Sequence, residues 1–199
     1  MTTDTTELYG EALTRFGELL DAAAATDLRE PTAMMLATAD ADGRPSVRTM
    51  LLKGFDEQGF VFFTNSHSRK GRDLDENPRA SLCFFWQSLM QQVRIEGRVE
   101  PISTNESDSY WDTRTRDSQL GAWASQQSDP LEDRGLLEHE VSEYQAKFLN
   151  QPVPRPPHWF GYRVIPERIE FWKSGWHRLH ERVLYEKSPD GWRKTLLFP

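Results

Sequence analysis

The sequence predicts a mainly β protein: an antiparallel, Greek-key-like barrel with flanking helices, in a single domain over 1–199. Strand-like segments outnumber helical ones, and several are joined by short turn-forming loops. No alternation of strand and helix appears that would signal a parallel sheet. At 199 residues the chain has room for one well-buried core.

Leu8, Leu13, Phe16 and Leu20 fall near helical spacing and predict an amphipathic helix over 6–25. It forms most of an N-terminal helix and arm, 1–30, closed by the polar "DLREPT" with its Pro31; the barrel and its packed helices take 31–199. "AMMLATA", a turn at "DADGRP", "SVRTMLLKGF", a turn at "DEQG" and "FVFFTN" succeed one another as a β-meander. "SRKGRDLDENP" reads as a short helix ended by Pro78, and "ASLCFFW" and "QQVRIEGRVEPI" resume the sheet. Ser103 to Glu106 matches a capping box, so a helix starts there and is expected to carry Tyr110 and Arg114 on one face. Leu137, Val141, Tyr144 and Phe148 support another helix. "QPVPRPPHW" is a proline-stiffened connector.

"GYRVIPERIEFW", "HRLHERVLYE" and "WRKTLLF" finish the chain as strands. Within them, "WHRLHERVLY" (176–185) is read as strand throughout. Alternation then puts Trp176, Arg178, His180 and Arg182 on one face. His177, Leu179, Glu181 and Val183 fall on the other, with Leu179 and Val183 expected to pack. Three cationic or protonatable groups on one face call for an anion between them.

A formal net charge of −7 argues against non-specific nucleic-acid binding. No apolar stretch reaches membrane-spanning length. The single cysteine, Cys83, excludes an intrachain disulfide and fits a reducing compartment. "MTTDTTELYGEAL" has neither the basic nor the apolar region of a signal peptide, and a cytoplasmic protein is expected. Positive charge nevertheless gathers at Arg48 with Lys53, at "SRKGR" (68–72), at "RTR" (114–116) and at Arg178–His180–Arg182. Any one alone reads as solvated surface. Together, with Ser68, Gln92, Ser118, Gln127 and Ser128 available as donors, they suit small phosphorylated ligands. "SRKGR" at a helix start adds the favourable end of the helix dipole. Arg48 and Lys53, five apart, would point to opposite faces of a regular strand, so a bulge intervenes or they serve different ligands. No Walker motif, GxGxxG, zinc-ligand spacing or nucleophile elbow is present, so no metal site is expected and hydrolysis is disfavoured.

With these residues assembled, the chain resembles the pyridoxamine 5'-phosphate oxidase family, the FMN-dependent pyridoxal 5'-phosphate synthases. "RTMLLK", "FFTNSHSRKGRDLDENPRASLCFFW", "QQVRIEG", "SDSYWDTRTRDSQLGAWASQQS", "VPRPPHW", "IEFW" and "HRLHER" carry the resemblance, in order, from about Pro31 to the C-terminus. It implies a split β-barrel homodimer with FMN at the subunit interface. The implied FMN contacts are Arg48, Met50, Leu51, Leu52, Lys53, Phe63, Thr64, Arg69, Lys70, Gln92, Gln127, Ser128, Trp172 and Arg182. The implied grip on the substrate's phosphate is Lys53, Tyr110, Arg114 and Ser118, with Arg178 and His180 against the pyridine ring as catalytic residues. The implied reaction oxidises pyridoxine or pyridoxamine 5'-phosphate by hydride transfer to FMN, with O2 reduced to hydrogen peroxide.

The pattern has departures. Phe63 stands for a common tyrosine, Thr115 for a proline, Phe160 for a glycine and Gln91 for an arginine, and the ending "LLFP", with Leu197, lacks a usual arginine. Two alternatives stand beside the oxidase: a flavin oxidase of the same fold acting on another substrate, as among phenazine-biosynthesis relatives, and a non-catalytic flavin- or pyridoxal-phosphate-binding module.

Overall fold

The computed structural model describes residues 5–199. In chain order, helix α1 (Thr5–Ala24) precedes β1 (Ala33–Ala39), β2 (Pro45–Leu51), β3 (Gly54–Asp56) and β4 (Gly59–Asn65). Then come α2 (Arg69–Glu76), β5 (Arg79–Trp86), β6 (Gln91–Pro101), α3 (Thr104–Asp112), α4 (Arg116–Ala124) and α5 (Arg134–Lys147). The chain closes with β7 (Trp159–Lys173), β8 (Glu181–Ser188) and β9 (Gly191–Leu197). Every strand pairing is antiparallel, in the order β2-β1-β5-β6-β7-β4-β3, with β8 on β7 and β9 on β8.

β7 is where the barrel splits. One edge of this 15-residue strand pairs with β6. The other edge pairs with β4 from Trp159 to Val164 and with β8 from Arg168 to Lys173. Between them lies Pro166, which has no N–H to donate to a ladder. On the β6 side the register shifts between Glu96 and Gly97. A Cβ on Gly97 would fall 1.9 Å from the Ile165 carbonyl oxygen, so that close approach needs glycine.

The core lies inside the sheet and is rich in aromatic rings. Phe60, Phe62, Phe84 and Trp86 come from strands, and α1 inserts Phe16 among them, edge-on to Phe60 at 5.0 Å and to Phe84 at 5.1 Å. The N-terminal helix is thus part of the core, and Glu11 ties it to the end of the chain by accepting from Tyr185 Oη and Lys194 Nζ. A second cluster, Trp111, Leu120, Phe148, Val153 and Trp159, lies under α3, α4 and α5. Trp111 Nε1 and Trp123 Nε1 donate to the carbonyls of Val153 and Pro154, so the connector becomes the floor on which these helices rest.

Several local expectations hold. Ser68 caps α2, and Ser103 with Glu106 forms the capping box of α3. Three do not. "WHRLHERVLY" is not strand throughout: Trp176–Arg178 is a 3₁₀ turn, with His177 and Arg178 both left-handed at φ 52° and 66°, and β8 begins only at Glu181. The alternation of faces therefore fails before Glu181; Val183 is core, whereas Leu179 is exposed. The helix begun at Ser103 stops at Asp112, so Arg114 lies beyond it rather than on its Tyr110 face. A separate helix, α4, follows, capped by Thr115, whose hydroxyl accepts from the Ser118 N–H.

Candidate active site

Two groups of the expected residues lie at opposite ends of β7. The first surrounds the start of the strand, where β4 brings Thr64 opposite Phe160. Lys70, in the first turn of α2, is buried there. Its Nζ lies 3.2 Å from Thr64 Oγ1, 3.2 Å from Ser68 Oγ and 3.1 Å from Gln127 Oε1. All three partners are neutral, and among the described residues no carboxylate forms an ion pair with Lys70. Burial, followed by the nearby Arg48 guanidinium, lowers the Lys70 pKa to about 8.

Arg48 is oriented by oxygen acceptors. Its Nη1 donates to Thr38 Oγ1 at 2.7 Å and to the Leu36 carbonyl, and its Nη2 donates to Ser46 Oγ. Behind Thr38 lies buried Asp73, which accepts the threonine hydroxyl at 2.5 Å and approaches Arg48 at 3.7 Å. Ser128 Oγ accepts from the Arg69 N–H, which ties the loop after α4 to the start of α2.

Beside this group lies a cavity of about 440 Å³ lined by Met50, Leu51, Lys53, Phe63, Tyr110, Arg114, Ser118 and Trp159, among others. All four residues of the expected phosphate grip meet in it. An adjoining cavity of about 430 Å³ shares Met50, Phe63, Arg114, Ser118 and Trp159 and extends to Thr64 and Gln127. Arg48 and Lys53 divide as the strand ends: Arg48 stays in β2 beside Asp73, and Lys53 lies past Leu51 in the cavity wall. Leu52 turns its side chain into the core and donates its N–H to the Thr32 carbonyl.

The cavity floor is aromatic. Phe63 stacks on Tyr110 at 4.0 Å and on Trp159 at 5.2 Å. The Arg114 guanidinium lies 4.5 Å from the centre of the Trp159 ring, and its Nη2 donates to the Ser118 carbonyl. A flat ring and a backbone oxygen hold this arginine without neutralising it.

The second group lies at the far end of β7. Gln92, Trp172 and Arg182 stand side by side on β6, β7 and β8. Arg182 Nε donates to buried Glu170 at 2.8 Å, and its Nη1 donates to the Phe198 carbonyl at 3.0 Å. The Trp172 ring centre lies 4.7 Å from that of His180. The Gly175 N–H donates to His180 Nδ1 at 3.3 Å, so a neutral imidazole carries its proton on Nε2. Arg178, in the left-handed turn, is exposed.

The donor set fits a phosphate-bearing flavin. A buried ammonium contacting only neutral oxygens, with a guanidinium nearby, is a site short of one anion. Thr38, Asp73, Trp159 and Glu170 were missed by the sequence reading. Glu170 carried one signal: a lone carboxylate in "RIEFW", between side chains bound for the core.

Fold and site together define a split-barrel protein whose basic side chains gather beside aromatic walls. The chain belongs to the pyridoxamine 5'-phosphate oxidase family: residues 20–148 match that family, and residues 159–199 match the pyridoxine 5'-phosphate oxidase C-terminal dimerisation region. It is 54% identical over 195 residues to the pyridoxine/pyridoxamine 5'-phosphate oxidase of Alkalilimnicola ehrlichii, covering 97% of this chain and 100% of that one. It is 52% identical over 189 residues to the enzyme of the same name from Myxococcus xanthus, covering 95% and 92%. PhzG from Burkholderia lata, solved with tetrahydrophenazine-1-carboxylic acid, superposes with a TM-score of 0.89 at 39% identity, covering 94% and 92% of the two chains.

Proposed function

We propose that this protein is an FMN-dependent pyridoxine/pyridoxamine 5'-phosphate oxidase that works as a homodimer, with each FMN held between two copies. The observation that carries the reading is the meeting of Lys53, Tyr110, Arg114 and Ser118 in one cavity next to the Lys70 cluster. Two adjacent sites for phosphate match a phosphorylated substrate beside a phosphorylated cofactor. A non-phosphorylated, phenazine-type substrate would leave that second grip unused.

The dimer follows from distance. Phe160, beside Thr64, and Trp172 are twelve residues apart on β7, about 40 Å of strand. One flavin cannot span both ends of one chain. Two-fold pairing through the C-terminal dimerisation region brings Gln92, Trp172 and Arg182 of one copy to the Arg48–Lys70 end of the other.

FMN, once bound, would supply the redox chemistry by which the substrate's 4' carbon loses a hydride and O2 is reduced to hydrogen peroxide. Lys70, Arg69, Gln127 and Ser128 would hold its phosphate, with Arg48, Met50, Leu51, Phe63 and Thr64 along its length. Lys53, Tyr110, Arg114 and Ser118 fix the substrate's phosphate and thereby the position of the reacting carbon. Arg178 lies against the pyridine ring and stabilises negative charge formed there. His180, held as the Nε2–H tautomer, donates to the ring hydroxyl. A cytoplasmic setting agrees with the single, half-buried Cys83.

Anaerobic addition of pyridoxine 5'-phosphate to the FMN-reconstituted protein tests the reading. Bleaching of the flavin absorbance, reversed by air with release of peroxide, is expected. FMN binding without bleaching would leave only a binding module, and failure to bind FMN would overturn the reading altogether.

A further inference from the structure

We propose that Glu170 is a positioning residue for the cofactor, acting through Arg182; the proposal rests on Arg182 being an FMN ligand. Glu170 lies in β7 with only 5% of its side chain exposed. Its Oε1 accepts from Arg182 Nε at 2.8 Å, and its Oε2 accepts from Arg94 Nη2 at 2.8 Å. Arg94 is its direct partner across β6, and Arg182 approaches from β8. One carboxylate thus links three strands. A charge this buried is tolerated because a guanidinium occupies each oxygen.

Arg94 also pairs with Glu96 at 3.4 Å and with nothing of the expected site. The geometry at Arg182 is different. A guanidinium is planar with five N–H groups in a fixed fork. Glu170 takes the Nε–H and the Phe198 carbonyl takes one hydrogen of Nη1. Two anchors on a planar group fix its plane, and with it the direction of the remaining three hydrogens, those of Nη2 and the second on Nη1. These are the donors left for a ligand lying against Trp172 and Gln92. The other half-site shows the same device, where buried Asp73 and Thr38 hold Arg48.

Titration of apoprotein with FMN, followed by quenching of flavin fluorescence, tests this in four proteins: wild type, Glu170→Gln, Arg182→Ala and the double variant. Glu170→Gln keeps an oxygen acceptor and the size but loses the charge, and should raise the Kd for FMN about tenfold. Arg182→Ala should raise it at least as much. The double variant should be no worse than Arg182→Ala alone, because Glu170 then has nothing to position. A merely structural Glu170 predicts additive losses, and additivity or an unchanged Kd in Glu170→Gln overturns the proposal. If Glu170→Gln fails to fold, Glu170→Asp, charged but one methylene short, goes through the same cycle with the same pattern expected and the same refutation. Wild type that binds no FMN would overturn the site reading and this proposal with it, whereas wild-type binding with an unaffected Glu170 variant overturns only the proposal.

Discussion

Replacing Lys70 with methionine should weaken FMN binding while stabilising the ligand-free protein. Burial holds the Lys70 ammonium at a pKa of about 8, against 10.5 for an unburied lysine. At about 1.4 kcal/mol per pKa unit the penalty is at most about 3.5 kcal/mol. Screening by solvent at the cavity mouth and the loss of three hydrogen bonds reduce the net gain on substitution to about 1 kcal/mol. Because the folded pKa is the lower one, the unfolded chain holds more protons between pH 8 and 10.5. The penalty is therefore present in full below pH 8, and wild-type stability recovers it as pH rises through that window. A phosphate restores the charged form, so FMN binding should weaken over the same range. Loss of a charge-assisted contact should raise the Kd for FMN roughly 10–100-fold in the variant. Urea denaturation of both apoproteins at pH 7 and pH 10 checks the argument: the variant's advantage should be present at the lower pH and shrink at the higher. A Lys70→Met protein less stable than wild type at pH 7, with a difference independent of pH, would refute the view of an uncompensated ammonium.

A Cβ at Gly175 would fall 1.9 Å from the Leu179 carbonyl oxygen, so Gly175→Ala should abolish turnover through the displaced His180 and lower Tm as the turn backbone shifts; normal kcat would show that the turn is not needed. Trp159→Leu removes the ring under Arg114 and should raise KM for the phosphorylated substrate several-fold more than it lowers kcat, besides costing about 2 kcal/mol of packing; an unchanged KM counts against the stacked arginine. Thr115→Pro should leave Tm and KM nearly unchanged, because φ there is already −61° and the lost cap is offset by a stiffer unfolded chain; a loss of several degrees would mean the Thr115 hydroxyl matters more than its cap. At an FMN concentration that fills wild-type sites but not those of either variant, mixed dimers of Lys70→Met and Arg182→Ala should recover activity that neither shows alone, since one of the two interfacial sites is then intact. Random mixing restores about a quarter of wild-type sites, and no recovery would place both residues in a site made by one chain.

Where the sequence could be read, the signals were local. Ser68 and Ser103 announce helix starts because a cap is a contact between residues three apart. The β1–β2 hairpin is legible because its turn carries its own chemistry, but the expected meander does not continue: "SVRTMLLKGF" breaks into β2 and β3, and β3 with β4 joins the far edge of the sheet beside β7, a pairing set by long-range packing. α4 had such a signal too, in Thr115 with Asp117 in the first turn and Leu120 and Ala124 on the buried side, yet no separate helix is assigned there from the sequence. "WHRLH" had none. Its aromatic and alternating residues look extended, yet two successive non-glycine residues take left-handed backbone, which local preference opposes. The turn is closed by contacts among its own residues, the Leu179 N–H to the Trp176 carbonyl and the Gly175 N–H to His180 Nδ1, and not by burial of its side chains. The roles of Asp73 and Glu170 were equally hidden, because each depends on an arginine brought from another strand.

A chain of net charge −7 needs local means to hold the anionic ligands proposed for it. Its site cations are treated in two ways. Arg48 and Arg182 rest on buried carboxylates, Asp73 and Glu170, which cancel much of their charge at a distance but fix where their donors point. Lys70 and Arg114 rest on hydroxyls, an amide oxygen, a backbone carbonyl and an indole ring. Among the described residues neither makes an ion pair, and only Asp73, at longer range, opposes the burial of Lys70. Burial lowers the pKa of both, a cost the empty site bears and an anion relieves. Carboxylate-held arginines suit neutral polar atoms that must be met at a set angle, whereas uncompensated cations suit phosphate, where charge matters more than direction. The uncompensated pair lies on the two adjoining cavities, at the places assigned to the cofactor's and the substrate's phosphates, which is why the acidity of the rest of the surface does not prevent binding.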